Sequence, residues 1–247
     1  MNVPIGVIPT ILGAAVAVGC YAIFVPQSSL MCPVTWRGRR DGPPRVAITF
    51  DDGPWPAGTG PILDTLRDLA CPATFFVIGA NAARWPELVA RMHAEGHSVG
   101  NHSYDHPHMG VFRRGRYWMD QLRRTDSAIV AAGVPRPTLF RPPIGHKTVR
   151  LAMALRATGQ RAVTWSRRAA DGIPTSTDRI LARIVPRARA GDIIVLHDGL
   201  EPRAIARPAP RDVSPTVRAV RPMVEGLRAR GLAIVPLEEL IGVPVGG

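Results

Sequence analysis

The chain has 247 residues, of which 46% are hydrophobic and 20% charged, so its composition excludes a disordered protein and suits one domain with a full core. The formal net charge is +12, carried by arginines and a single lysine, Lys147. These basic side chains are spread over nearly every predicted helix, which disfavours a nucleic-acid-binding protein. The charge is compatible with attraction to anionic lipid or lipid-linked phosphate, or with a solvated arginine-rich surface.

The N-terminal segment differs from the rest of the chain. Residues 1–36 contain no charged side chain, and residues 3–25 are almost wholly apolar. A helix of that length could cross a hydrocarbon core of about 30 Å, although Pro4 and Pro9 shorten its uninterrupted part. The segment lacks the basic start of a secretory signal. We predict a retained membrane anchor, with a cleaved signal and a hydrophobic hairpin or partner-binding segment as alternatives.

Arginines follow the apolar segment and none precedes it. The positive-inside rule therefore favours a cytoplasmic catalytic domain over a periplasmic or extracellular one. We divide the chain into the hydrophobic segment 1–30, a linker 31–45 and one catalytic domain 46–247.

Short β-rich runs alternate with helical stretches from residue 46 onward. Strands are predicted at 46–50, 74–78, 97–101, 138–141, 161–165, 192–196 and 232–236, and helices at 60–70, 86–95, 117–132, 148–158, 177–189 and 215–230. The strands lack polar alternation, which is typical of strands covered on both faces. The pattern predicts an α/β protein with about seven parallel strands in a barrel. Residues 201–213 are predicted as a surface loop.

Polar side chains cluster where predicted strands end. They are Asp51 and Asp52 after the first strand, His102 and His106 after the third, Arg141 at the fourth and His197 after the sixth. The active site of an α/β barrel is built at the C-terminal ends of its strands. We therefore expect these side chains to share one site.

The residue types in this set suggest a metal. Adjacent carboxylates such as Asp51 and Asp52 repel unless a cation or proton separates them, although alone the pair could belong to a turn before Gly53. His102 and His106 are four residues apart and can face one point, as metal-binding imidazoles do. Two histidines and one aspartate leave a coordination position open for water, as in catalytic zinc sites.

Four motifs in order resemble those of the polysaccharide deacetylases, also called the NodB-homology or carbohydrate esterase 4 family. They are Thr49 to Pro54 (TFDDGP), His102-Ser-x-x-His106, Arg141-x-Pro143 and Leu196-His197. The resemblance spans residues 46–240 and implies a distorted (β/α) barrel. It implies removal of an N-acetyl or other N-acyl group from an amino sugar of a polysaccharide or lipid-linked glycan. O-deacetylation or deformylation at the same site, and a non-catalytic carbohydrate-binding module, are the alternatives.

The resemblance also implies a role for each matching residue. A divalent metal, Zn²⁺ first and Co²⁺, Ni²⁺ or Mn²⁺ as alternatives, would be held by Asp52, His102 and His106. Asp51 would be the general base, oriented by Arg141, and His197 the general acid, supported by Asp171. The substrate pocket would be formed by Trp165, Leu196, Pro143 and Ile144, the first two lining the acyl-methyl group and the backbone amide of Ile144 stabilising the oxyanion.

The chain departs from the family at two places. Members commonly carry an aromatic residue at the position of Ile144. Their fourth motif commonly reads Asp-x-x-Asp-Trp, where this chain has Arg168, Asp171 and Gly172. A cation near His197 disfavours the imidazolium, so Arg168 predicts a lowered pKa for His197. His108 and His146 lie close to motif residues and are predicted as polar loop residues rather than further ligands.

Overall fold

The computed structural model describes residues 7–205 and 210–243. Its helices are α1 Val7–Phe24, α2 Pro56–Asp68, α3 Gly79–Arg84, α4 Pro86–Ala94, α5 Gly115–Ala131, α6 Val149–Thr158, α7 Thr177–Ile184, α8 Pro202–Ile205, α9 Ser214–Ala229 and α10 Leu237–Ile241. Its strands are β1 Val34–Thr35, β2 Arg45–Asp51, β3 Thr74–Val77, β4 Ser98–Asn101, β5 Leu139–Phe140, β6 Arg161–Val163, β7 Arg167–Arg168, β8 Ile193–His197 and β9 Ala233–Ile234.

The strands form one parallel sheet that curls into a distorted barrel. The strand order is β1-β6-β5-β4-β3-β2-β8-β7, and β9 pairs with the start of β2. Every strand pair is parallel, so all carboxyl ends meet at one rim. The predicted α/β barrel is therefore confirmed, with β2 to β6, β8 and β9 at the predicted positions. The further strands β1 and β7 have two residues each, which is too short for any hydrophobic periodicity to be visible.

Alternation along the strands decides which side chains face the barrel interior. On β2, Val46, Ile48 and Phe50 pack outward in the core beneath the helices, whereas Ala47 belongs to an interior cluster with Leu237 of α10. Successive strand residues point to opposite faces, so Thr49 and Asp51 share the interior side with Ala47. The base of the barrel is thus apolar and closed by α10, and its carboxyl rim is polar.

Two helix boundaries differ from prediction for identifiable reasons. Helix α2 begins at Pro56 instead of residue 60, because the Thr59 hydroxyl is not a cap; it accepts the Trp55 amide (2.8 Å) and donates to Asp198 (2.5 Å). Helix α7 ends at Ile184 and continues as a 3₁₀ turn, Val185–Arg187. Pro186 lacks the N–H that an α-helical continuation requires.

The segment predicted as a linker packs on the barrel. Strand β1 pairs with β6, and the Gly38 amide donates to the Gly191 carbonyl at 2.8 Å. Arg37 forms an ion pair with the buried Asp192 at 2.8 Å. The boundaries 1–30, 31–45 and 46–247 stay a prediction, but residues 34–38 are part of the folded unit.

The predicted anchor at residues 3–25 is described from residue 7 onward, and residues 3–6 lie outside the described part of the chain. Residues 7–24 form α1, whose end is fastened to the barrel: the Lys147 ammonium donates to the carbonyls of Val25 (2.8 Å), Pro26 (3.2 Å) and Gly145 (3.2 Å). Among the described residues, no helix combines the length and the apolar character needed to cross a membrane.

Candidate active site

The two residues predicted to transfer protons lie on neighbouring strands. Asp51 ends β2, His197 ends β8, and the parallel register places them directly opposite each other. Both side chains follow the interior side of their strands. Residues separated by 146 positions are thus brought together at the carboxyl rim by sheet register alone.

Asp52, His102 and His106 form a compact cluster of possible metal ligands. One carboxylate oxygen of Asp52, Oδ1, lies 3.4 Å from Nε2 of His102 and 3.4 Å from Nε2 of His106. All three side chains are buried, and no group in the described part of the chain donates a hydrogen bond to that oxygen. Nδ1 of His102 lies 2.8 Å from the Arg141 carbonyl, so it carries the proton and leaves Nε2 free as a ligand.

The charges around this cluster favour a bound cation. Burial lowers the pKa of His106 to about 3, more than the neighbouring Asp52 carboxylate raises it, so its imidazole is neutral. Burial acts against ionisation of Asp52, but the neighbouring histidines hold the pKa of this carboxyl below its usual range. The neutral imidazole of His106 and the ionised carboxylate of Asp52 are the protonation states that metal binding requires. Burial lowers the pKa of His102, but the neighbouring Asp51 and Asp52 carboxylates raise it overall, so a metal would displace a proton at that ligand.

Local hydrogen bonds shape the loop that carries both histidines. Asn101 ends β4, accepts the Ser103 amide at 2.8 Å and donates to Asp126 of α5 at 2.8 Å. His106 adopts a left-handed conformation (φ 51°), as do Asp52 (φ 72°) and Ser103 (φ 65°). Such backbone strain in non-glycine residues persists only where the surroundings impose it, and it clusters at functional sites.

Arg141 is fully buried beneath the rim and holds Asp51. Its Nη1 donates to Asp51 Oδ1 and to the Thr49 hydroxyl, each at 2.7 Å, and Nη2 donates to the Thr164 carbonyl at 3.1 Å. Its guanidinium carbon lies 4.1 Å from the centre of the Phe76 ring. The predicted pairing of Arg141 with Asp51 is therefore present, and it fixes the carboxylate while leaving its second oxygen towards the cavity.

His197 is held by Asp171. Its Nδ1 lies 2.9 Å from Asp171 Oδ1, while Asp171 Oδ2 accepts the His197 amide (2.8 Å) and the Thr216 hydroxyl (2.9 Å). Burial by itself lowers the pKa of His197, but the attraction of Asp171 outweighs it and raises that pKa to about 9. The imidazolium is therefore the main form at neutral pH, as a general acid requires.

This pKa contradicts the prediction made from Arg168. We expected the cation to lower the pKa of His197, and the structure shows it raised. The reason is geometric: Arg168 is exposed at the cavity rim, whereas Asp171 is buried and touches the ring. The pKa of His197 is therefore set mainly by the retained Asp171 and not by the arginine at position 168.

The site opens into a cavity of about 370 Å³. It is lined by Asp51, Asp52, His102, His106, His108, Ile144, Trp165, Arg168, Ala170, Gly172, Ile173, Val195, His197 and Glu201. Trp165 and Ile144 lie in the wall, as predicted, and Ile144 has left-handed backbone (φ 49°) and is 41% exposed. With isoleucine at position 144, Trp165 supplies the large aromatic surface of the lining.

Two predicted pocket residues do not line this cavity. Leu196 is fully buried and packs outward in the core beneath the helices, because it lies between the inward-facing Val195 and His197. Val195 occupies the pocket wall instead. Pro143 is buried at the start of the 3₁₀ turn Pro143–Gly145, which contains Ile144.

The structure adds residues that the sequence did not single out. Glu201 and His108 lie beside His106, with His108 Nε2 2.9 Å from Glu201 Oε1, so the predicted loop residue His108 belongs to the cavity wall. Asp198 is buried under the Asp52 turn, where burial raises its pKa to about 7. His146 packs edge-on against Phe24 of α1, at 4.7 Å between ring centres, away from the ligand cluster. The only sequence signal for Glu201 was its position four residues after His197.

Comparisons with known proteins identify relatives of this chain. The family model described as polysaccharide deacetylase matches residues 38–163. A chitooligosaccharide deacetylase of Bradyrhizobium sp. (strain ANU 289) is 37% identical over 208 residues, covering 82% of this chain and 93% of that protein. A peptidoglycan-N-acetylglucosamine deacetylase of Bacillus cereus is 33% identical over 198 residues, covering 79% and 87%.

A solved structure is similar as well. The family 4 carbohydrate esterase from Streptomyces lividans, in complex with acetate, superposes with a TM-score of 0.67 at 34% identity and covers 77% of this chain and 91% of that one. The predicted fold and the predicted reaction class, hydrolysis of an N-acyl group on an amino sugar, are thereby confirmed. The chain belongs to the polysaccharide deacetylase family.

Proposed function

We propose that the protein removes the acetyl group from N-acetylglucosamine residues of a glycan, with Zn²⁺ held by Asp52, His102 and His106. The observation that carries the proposal is the convergence of this ligand cluster with Asp51 and His197 on one cavity. A carbohydrate-binding module has no need of two proton-transfer groups. The relatives that act on chitooligosaccharide and on peptidoglycan support the choice of sugar.

The ligand cluster fits zinc in number, chemistry and burial. Zn²⁺ in catalytic sites commonly takes three protein ligands from imidazole and carboxylate groups. Within residues 7–205 and 210–243, the buried Oδ1 of Asp52 has no hydrogen-bond partner and lies 3.4 Å from each of the two ring nitrogens, an arrangement that suits a shared cation. A divalent ion held by these three residues would supply polarisation of the amide carbonyl and would lower the pKa of water from ~15.7 towards ~7.

The chain's own residues would move the protons. Asp51, oriented by its ion pair with Arg141, would accept a proton from the attacking water. His197, protonated through its pairing with Asp171, would donate a proton to the nitrogen of the departing amine. Each transfer is worth ~10²–10⁴-fold in rate. The sheet register that pairs Asp51 with His197 would bring both proton-transfer groups within reach of one reacting carbon.

The cavity wall suits a small acyl group. Val195 and Trp165 would face the acetyl methyl, and the backbone amide of Ile144 would stabilise the oxyanion. Ile144 is exposed at the rim, where it would contact the sugar instead of the aromatic residue common in the family. The lining therefore favours acetyl or formyl over long acyl chains.

Acetate release tests the proposal. The zinc-loaded protein should release acetate from an N-acetylglucosamine tetramer or from peptidoglycan, and the same preparation of Asp51→Asn should not. The variant keeps the side-chain volume and the metal ligands, so its inactivity reports on the base alone. Acetate release by Asp51→Asn at the parental rate, or none from either glycan by the parent, would refute the assignment.

We propose further that residues 3–25 associate with a membrane and that the catalytic domain faces the cytoplasm, near a lipid-linked sugar. The exposed apolar side chains Leu12, Val16, Tyr21 and Phe24 on α1 support the association. The arginines that follow α1 support the orientation, since each can contribute about 1 kcal/mol of attraction near an anionic leaflet. An active alkaline phosphatase fusion at the C-terminus, with a silent fluorescent-protein fusion, would place the domain outside and contradict this.

A further inference from the structure

The two histidines of the ligand cluster differ in how their second ring nitrogen is satisfied. Nδ1 of His102 has the Arg141 carbonyl at 2.8 Å. Nδ1 of His106 is buried and has no hydrogen-bond partner within residues 7–205 and 210–243. A metal-ligating imidazole almost always donates its other N–H to a carboxylate, carbonyl or water, which fixes the ring and its tautomer. His106 therefore lacks the partner that its position in the cluster calls for.

Glu201 presents a carboxylate oxygen to this nitrogen. Its Oε2 lies 3.9 Å from Nδ1 of His106, which is too long for a hydrogen bond but within reach of a small rotation of the carboxylate. Its other oxygen, Oε1, lies 2.9 Å from Nε2 of His108. The two rings stand nearly perpendicular, 5.3 Å apart between centres, with the Glu201 carboxylate in reach of both.

The loop that carries Glu201 is tied to the metal-ligand loop. The Asn81 side-chain amide donates to the Leu200 carbonyl and to the Asp52 carbonyl, each at 2.9 Å. Asn81 is buried, so these bonds are shielded from water. Glu201 is thus placed by the same framework that places the ligand Asp52.

We infer that Glu201 is a positioning residue for the metal site, acting by accepting the Nδ1–H bond of His106. The bond orients the His106 ring so that Nε2 points at Asp52 and His102, and the carboxylate increases the basicity of that ligand nitrogen. His108 holds the opposite oxygen of Glu201 and is not itself a ligand of the ion. This inference rests on the metal site of the proposed function.

Zinc affinity tests the inference independently of turnover. Competition with a chromophoric chelator should give a Kd for Glu201→Ala about 10- to 100-fold above the parent, the usual effect of removing such a partner. Glu201→Gln keeps an acceptor oxygen at the same distance along the side chain and should lose less zinc affinity than Glu201→Ala. Glu225→Ala, which removes an exposed carboxylate from α9, is the matched control and should keep the parental Kd. Urea unfolding of the metal-free proteins checks that folding is equal.

Each outcome of the titration has a separate meaning. A parental Kd in Glu201→Ala would overturn the positioning role and leave the metal site intact. A parent that binds two equivalents, of which Glu201→Ala and His108→Ala each lose one without change in the tighter Kd, would mean that Glu201 and His108 hold a second ion instead. A parental Kd in His106→Ala would overturn the metal site itself, and with it this inference.

Discussion

Replacing Asp171 with asparagine isolates the charge that makes His197 an acid. The carboxylate contacts the ring nitrogen at 2.9 Å and also accepts the His197 amide and the Thr216 hydroxyl, so it is fully engaged and buried. Asparagine has nearly the same shape and can still accept one of these bonds. The variant should therefore remove the charge with little change in packing.

The size of the effect follows from the pKa of His197. A rise from 6.5 to about 9 corresponds to ~3 kcal/mol in favour of the imidazolium, at 1.36 kcal/mol per pH unit. The stability that the folded protein gains from the His197 imidazolium is fully present below pH 6.5 and is lost as the pH rises through about 9. Without Asp171, burial is opposed only by the more distant Asp51 and Asp52 carboxylates, so the pKa falls. The alkaline limb of the rate profile should then move to lower pH by at least ~1 unit.

The assay is acetate release from an N-acetylglucosamine oligomer, measured on zinc-loaded parent and variant from about pH 6 to about pH 10. Asp178→Asn, at an exposed position in the first turn of α7, is the control for loss of one carboxylate and should keep the parental profile. An alkaline limb that stays in place in Asp171→Asn would refute the reasoning. It would mean that another group donates the proton, or that the limb reports a different ionisation.

Three further predictions concern the base, the buried acid beneath the site and the clamp on α1. Asp51→Asn should keep zinc, measured by elemental analysis, and lose kcat by at least ~10²-fold, because the base is gone; loss of zinc would place Asp51 among the ligands instead. Asp198 keeps a proton in the folded protein up to about pH 7, whereas the unfolded chain releases it near 3.8, so the contribution of this group to the stability of the metal-free parent is lost as pH rises through this window. Asp198→Asn should flatten that dependence of Tm on pH, and a parental slope would contradict it. Lys147→Met leaves the Gly145 carbonyl without its donor, while the Val25 carbonyl keeps the Ser28 amide, and it should lower the free energy of unfolding in urea by about 1–3 kcal/mol; an unchanged value would show that water replaces the ammonium.

Local sequence carried most of the information about fold and site. Apolar strands without polar alternation, separated by helices with clear ends, permit only a parallel sheet covered on both faces. In such a sheet, residues at the carboxyl ends of strands meet without further specification, so Asp51, Asp52, His102, His106 and His197 could be assigned to one site from their positions alone. This inference needs only that the strands run parallel, and the sheet register confirms that Asp51 lies opposite His197.

Tertiary structure decided what depends on side-chain direction and on contacts between distant segments. Val195 rather than Leu196 lines the cavity, because the pleat places one inside the barrel and the other outside it. The pKa of His197 depends on the short distance between its ring and Asp171, which is 26 residues away along the chain. A sequence motif gives residue types and spacings but not such a distance in space. Glu201 lies 3.9 Å from His106, although 95 positions separate them in the sequence. Such contacts follow from how whole elements pack, because the interactions that fix them are summed over the entire core and are not local to any motif.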